Sequence, residues 1–317
     1  MPINPAQTAF VFPGQGSQTV GMGAALAEED HAAAQVFSQA DDILGYSISK
    51  LCWEGPDEKL NDTLHTQPAL LTHSVAVLRA FQAQYPDFEP AFTAGHSLGE
   101  FSALVASGAL TFPDALRLVE ARGKAMKAAG ERQPGGMAAV LGLEVEDVDQ
   151  VCEQVSRNSG GGVWVANDNC PGQVVISGDE GALSAASEHL LDRGAKKVVR
   201  LAVSIASHTP LMKPALDDFD RALQTTQIQD PQIAIVGNVE AKPLHSAVEV
   251  RADLSAQLTA RVRWTESIRS MLDSGVTTFI ELGPKNVLTS LIRRIERSAA
   301  GMTLDAPTSL AAFHEMH

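Results

Sequence analysis

Residues 95–99 read Gly95-His96-Ser97-Leu98-Gly99. A serine with glycines two positions to either side suits a nucleophile carried on a sharp turn from a strand into a helix. The glycines let the chain double back, and the hydroxyl then stands clear at the helix N-terminus. There the main-chain N–H of Leu98 would face a developing oxyanion, with the helix dipole in support. Such a centre transfers or hydrolyses acyl groups through a covalent ester, provided a base sits within hydrogen-bond reach of the hydroxyl. Among nine histidines, His208 stands out only through its place just before Pro210, which opens a helical pattern. In a chain with 25 glycines the pentapeptide alone is weak, since an ordinary glycine-flanked turn reads the same way.

The neighbouring stretches supply the context. Residues 91–94 are a short strand candidate after Pro90, and a helical pattern runs on from Leu98. A buried-strand candidate at 9–12 leads into the glycine-rich turn 13–18, and a helical pattern over 69–85 is closed by Pro86. The middle of the chain then alternates: strand 137–141, helix 145–155, strands 163–166 and 174–176, helix 181–191, strand 197–203. That β-α-β-β-α-β order belongs to a small ferredoxin-like lobe that closes its own sheet. Beyond it come a helix over 210–223, short strands at 233–236 and 278–282, and a helix over 287–297. From residue 299 the chain reads as weakly structured. The expected fold class is α/β. A large α/β-hydrolase-like catalytic domain is drawn from 1–134 and 204–317, with the ferredoxin-like lobe 135–203 inserted.

Bulk composition narrows the class. The chain has 317 residues, 44% of them hydrophobic, enough apolar material for a large core with an inserted lobe. A formal net charge of −14 opposes nucleic acid, whose binding rests on phosphate neutralisation. Cys52, Cys152 and Cys170 are odd in number and share no metal-ligand spacing, which fits a reducing compartment and predicts no metal site. The first basic residue is Lys50, so neither a signal peptide nor an arginine-rich presequence is expected. No apolar run reaches membrane-spanning length. A cytoplasmic protein without a membrane partner is the expectation.

Five motifs occur in one order: FPGQGSQ at 12–18, GHSLGE at 95–100, GQVVISG at 172–178, SHTPLM at 207–212 and ELGP at 281–284. Over residues 8–297 the chain closely resembles the malonyl-CoA:acyl carrier protein transacylases of bacterial fatty-acid synthesis, which are related to polyketide-synthase acyltransferase domains. The resemblance implies ping-pong transfer of a malonyl group from coenzyme A to the phosphopantetheine thiol of acyl carrier protein, with no cofactor. Ser97 matches the nucleophile and His208 the base. Gln15 matches the residue whose main-chain N–H forms the oxyanion hole with that of Leu98. Arg122 matches the arginine that pairs with the free malonyl carboxylate, a task suited to a planar guanidinium. A solvated basic face shared with Arg117 and Lys124 is the other reading of that stretch. Family histidines are oriented by a main-chain carbonyl, and the matching position is placed at Arg263. Gln67, His96, Met126, Met137 and Asn167 match pocket-lining positions, although such methionines also serve as plain core residues.

Two positions depart from the family pattern. Many malonyl-selective relatives have Phe before the histidine, where this chain has Ser207, and methylmalonyl-selective relatives often have Ser; Leu98 favours malonyl. Relatives commonly have proline where this chain has Arg261, a loss that would loosen the loop. An acidic carrier protein needs a positive rim on so acidic an enzyme. Lys196-Lys197 and Arg293-Arg294, with Lys285 upstream, are expected to flank the cleft mouth, scattered solubilising charge being the alternative. A monomer is expected. The competing activities are a methylmalonyl-selective acyltransferase of a polyketide pathway, a hydrolase using the same Ser–His pair, and a non-catalytic carrier-binding subunit.

Overall fold

Short apolar runs bounded by turn residues become the strands of two sheets. The computed structural model describes residues 3–316. Its strands are β1 (Thr8–Phe12), β2 (Phe92–Gly95), β3 (Gly135–Leu141), β4 (Val163–Cys170), β5 (Gln173–Asp179), β6 (Lys197–Arg200), β7 (Ala234–Val236), β8 (Pro243–Leu244), β9 (Thr278–Leu282) and β10 (Ala300–Leu304). One sheet has the order β10-β9-β1-β2-β7-β8. It is parallel from β10 to β7, and β8 runs antiparallel at the edge. Every residue of β1 is buried, as in strands covered on both faces.

The other sheet has the order β4-β5-β3-β6 and is antiparallel throughout. With helices Val145–Ser159 and Glu180–Asp192 it follows the β-α-β-β-α-β order. It has a core of its own, built from side chains such as Val140, Val148, Ile176 and Leu183. The architecture is the expected α/β class with a separate ferredoxin-like sheet.

Register places the site. Phe12 at the end of β1 pairs with Gly95 at the end of β2, and the His96 N–H donates to Phe12 O at 3.0 Å. The glycine-rich turn after β1 and the serine turn after β2 therefore leave from adjacent carboxyl ends of parallel strands. That is where open α/β sheets form their ligand crevices.

Two expectations are corrected. Helix Thr63–Gln84 begins before residue 69, because Asp62 caps it by accepting from the Leu64 N–H at 3.0 Å and the helix runs through Pro68. The chain beyond 299 is ordered: β10 adds to β9 as a parallel edge strand, and helix Pro307–Met316 follows. Phe313 of that helix is fully buried, edge-on to Phe81 and Tyr85 at 5.0 and 4.9 Å between ring centres. Aromatic packing of this kind anchors a terminal helix whose own apolar periodicity is weak. Among the described residues no helix is long and apolar enough to cross a membrane.

Candidate active site

Ser97 has φ 50°, a left-handed conformation uncommon for a residue with a side chain. It forms the turn between β2 and helix Gly99–Ala106. Contact explains the flanking glycines. A Cβ on Gly95 would stand 1.9 Å from the carbonyl carbon of Gly99, and one on Gly99 would stand 1.9 Å from Phe12 O. Asn238, just past β7, holds the turn closed. Its Nδ2 donates to Gly95 O at 2.7 Å, and its Oδ1 accepts from the Ser97 N–H at 2.8 Å.

His208 sits on the segment after β6, also left-handed at φ 61°, and is buried. Its Nε2 lies 2.8 Å from Ser97 Oγ, and its Nδ1 lies 2.9 Å from the main-chain carbonyl of Gln257. A ring that donates from Nδ1 to a carbonyl presents a bare Nε2 to the hydroxyl. Burial, helped by the nearby Arg122 cation, pushes the His208 pKa down to about 3. The imidazole is therefore neutral at ordinary pH and able to accept a proton.

The expectation for Arg263 is corrected here. Its carbonyl accepts from the Ser267 N–H at 2.9 Å and from Ser267 Oγ at 3.0 Å, in the first turn of helix Trp264–Asp273. Gln257 ends helix Ala247–Gln257, where carbonyls lack an intrahelical partner, so its own is available to the histidine. Arg261 does not leave its loop loose. It ion-pairs with Asp149 and donates from Nε to Val165 O at 3.4 Å, tying the loop to the small sheet.

Arg122 comes from helix Phe112–Arg132 and is only 2% exposed. Arg117 and Lys124, by contrast, reach solvent in ion pairs with Asp114 and Glu120, so the shared solvated face is not what forms. Its Nη1 donates to Gln67 Oε1 at 2.9 Å, and its Nη2 donates to Gln257 Oε1 at 2.8 Å and to Ser97 Oγ at 3.2 Å. Burial lowers its pKa to about 10, which leaves it a cation at neutral pH.

These groups open into a cleft of about 430 Å³ lined by Gln15, His96, Ser97, Leu98, Arg122, Met126, Met137 and Asn167. Gln67 stands behind Arg122 instead of in the lining, with its Nε2 3.4 Å from Met126 Sδ. The main-chain N–H groups of Gln15 and Leu98 donate to nothing among the described residues. The Gln15 side chain is drawn aside to Thr63 Oγ1 at 3.2 Å. His96 is fixed by Asn169 Oδ1, 2.8 Å from its Nε2, and lies edge-on to Trp264.

Lys196 and Lys197 are exposed at the start of β6, and Arg293 and Arg294 are exposed on helix Val287–Ile295. Leu141 pairs with both Lys197 and Gln173, and Arg294 donates to Gln173 Oε1 and to Pro171 O. Lys197 and Arg294 thus share one end of the small sheet, and Gln173 there lines the cleft. Asn238 and Gln257 had no place among the sequence-derived candidates, because neither lies in a recognisable motif.

The acyl transferase domain family matches residues 9–308. A malonyl CoA-acyl carrier protein transacylase of Haemophilus influenzae is 44% identical over 97% of this chain and 98% of its own length. The crystal structure of an acyl carrier protein S-malonyltransferase from Vibrio cholerae superposes with a TM-score of 0.92 at 42% identity, over 97% of this chain and 99% of that one. A type II PKS acyl-carrier protein in complex with its malonyl-transacylase matches at a TM-score of 0.94 and 42% identity, over 98% and 100% of the two chains. With a nucleophile turn, a buried imidazole and a buried guanidinium meeting over likeness of this extent, the chain belongs to the acyl transferase domain family and, within it, to the malonyl CoA-acyl carrier protein transacylases.

Proposed function

We propose that this chain moves a malonyl group from malonyl-CoA to the phosphopantetheine thiol of an acyl carrier protein through an ester on Ser97. One observation carries the reading: Ser97 Oγ lies at once 2.8 Å from His208 Nε2 and 3.2 Å from Arg122 Nη2. As Oγ attacks the thioester carbonyl, Nε2 takes the hydroxyl proton. The oxyanion forms against the N–H groups of Gln15 and Leu98, each contributing on the order of 3 kcal/mol to the lowered barrier. Collapse expels the coenzyme A sulfur, which leaves with the proton from the imidazolium. The carrier thiol then repeats the sequence in reverse, giving its proton to His208 and taking the acyl group. All these side chains come from one chain, which suits a monomer.

Intact-mass measurement after mixing with malonyl-, methylmalonyl- or acetyl-CoA tests the reading. The expected result is a single malonyl adduct, absent from Ser97→Ala, that passes to holo-carrier protein faster than it appears as free malonate. No adduct, or water as the main acceptor, would overturn it. Ser207 lines the cleft where the family varies with acyl preference, so the methylmalonyl arm addresses the second reading directly.

The shared sheet end of Lys197 and Arg294 supports a basic rim that steers the acidic carrier. Because Arg294 also holds Gln173, Arg293 is the cleaner residue to change with Lys197. Lys197→Glu with Arg293→Glu should raise the carrier KM about tenfold while leaving acylation by malonyl-CoA unchanged. Flat carrier kinetics would remove these residues from the interface.

A further inference from the structure

The Gln15 N–H is one edge of the peptide group that joins Gly14 to Gln15. That peptide is trans and planar, so its N–H and the Gly14 carbonyl point to opposite sides. Whatever grips the carbonyl therefore sets where the N–H points. Ser17 grips it twice. Its Oγ–H donates to Gly14 O at 2.8 Å, and its N–H donates to the same oxygen at 3.3 Å. Ser17 is 1% exposed, so water does not compete for that hydroxyl.

The rest of the turn is held as well. The Gly16 N–H donates to Gln18 Oε1 at 2.7 Å, and Gln18 Nε2 donates to Asn61 Oδ1 at 2.6 Å, just before helix Thr63–Gln84. A Cβ on Gly14 would stand 2.4 Å from His96 O, so this turn lies directly against the backbone of the nucleophile turn. With the Gln15 side chain drawn to Thr63, the Gly14–Gln15 peptide keeps one uncommitted polar group, its N–H, at a residue that lines the cleft. Hydrogen bonds to a carbonyl also polarise its peptide, which makes the N–H on the far edge a stronger donor.

We propose that Ser17 is a positioning residue for acyl transfer: its buried hydroxyl, bonded to the Gly14 carbonyl, holds and polarises the peptide whose N–H stabilises the oxyanion at Ser97. The inference rests on the reading of Ser97 as an acyl-transfer nucleophile. Without the hydroxyl, Gly14 O keeps only the longer bond from the Ser17 N–H. Removing an oxyanion donor outright costs about 10^2- to 10^3-fold, and loosening one should cost less, about tenfold.

Ser17→Ala should therefore lower the acylation kcat about tenfold and leave KM within about twofold, because the oxyanion exists only in the transition state. Ser17→Cys fills nearly the same space but donates weakly, so it should be about as slow as Ser17→Ala. A residue that serves only packing would be rescued by cysteine. The loss should fall on malonyl-CoA, acetyl-CoA and p-nitrophenyl acetate alike, since each passes through the same oxyanion.

Infrared difference spectra supply a readout that packing would not move. In an acyl-enzyme labelled with 13C at the ester carbonyl, hydrogen bonds from the oxyanion donors lower the carbonyl frequency. In both variants the labelled band should move up toward that of the unfolded acyl-enzyme. Malonylation of wild type is a separate control: should it fail, the malonyl-transfer reading falls there, while p-nitrophenyl acetate and the spectra of its acyl-enzyme still test Ser17. A Ser17→Cys enzyme as fast as wild type, a loss carried by KM, an unmoved ester band, or failure of both variants to fold would make Ser17 a packing residue and overturn the proposal.

Discussion

His208→Ala should slow acylation of Ser97 by on the order of 10^4-fold, with the fold intact by circular dichroism. Among the described residues no other base touches the hydroxyl: the second group at Ser97 Oγ is the Arg122 guanidinium, 3.2 Å away, which only donates. The pH profile makes the same prediction sharper. Because burial and the Arg122 charge hold His208 near a pKa of about 3 instead of 6.5, the imidazole is already neutral through the range where an ordinary histidine titrates. The acid limb of kcat/KM, which reports the free enzyme, should therefore lie well below pH 6.5. Binding a malonyl carboxylate against Arg122 offsets part of the positive charge that depresses the imidazole. The acid limb of kcat should accordingly lie at higher pH than that of kcat/KM. A limb near the ordinary histidine value in both would mean that another group limits the rate, and a loss smaller than tenfold would remove His208 from the chemistry.

How far the site could be read in advance depends on what each residue contributes. The nucleophile was legible because its constraints are local: atoms of Gly99 and Phe12 occupy the space a Cβ would need at Gly95 and Gly99, so the backbone turn dictates side-chain size. The base lies 111 residues further along, and nothing local marks an imidazole as facing a distant hydroxyl; only the SHTPLM motif pointed to it. Gln257 left no trace because its key contribution is a main-chain carbonyl, which any residue carries. The misplaced expectation at Arg263 shows the same blindness. A carbonyl is available or not according to where a helix starts or stops, and boundaries are the least legible part of a sequence.

The ELGP motif points the other way, since it carries a clear family signal but no atom of the cleft chemistry. Glu281 is buried and accepts from the Leu288 and Thr289 N–H groups at 2.9 and 2.8 Å, which seats helix Val287–Ile295 over β9. At fold level the small sheet was legible from alternating strands and helices of ordinary length. β10 was not, because residues 300–304 are half exposed and derive their strand character from the neighbour, β9.

Arg122→Ala should abolish preference for a dicarboxylic acyl group while sparing the acyl-transfer centre. The guanidinium is held from behind by Gln67 Oε1 at 2.9 Å and Gln257 Oε1 at 2.8 Å, so its position is set before substrate arrives. One Nη1 N–H beyond the bond to Gln67 is uncommitted among the described residues, which leaves a donor for a carboxylate. Truncating one side of a buried charge pair costs about 2–5 kcal/mol, so malonyl-CoA kcat/KM should fall by about 10^2- to 10^3-fold. Acetyl-CoA has no carboxylate to lose and should retain its rate or gain. Arg122→Lys should recover little, because an ammonium cannot reproduce a planar fork between two fixed amide oxygens. The substitution also removes a positive charge that depresses His208, so in Arg122→Ala the acid limb for acetyl-CoA should move up toward 6.5. Equal losses with the two thioesters, or an acid limb that stays put, would show that Arg122 supports the fold of the cleft and does not select its substrate.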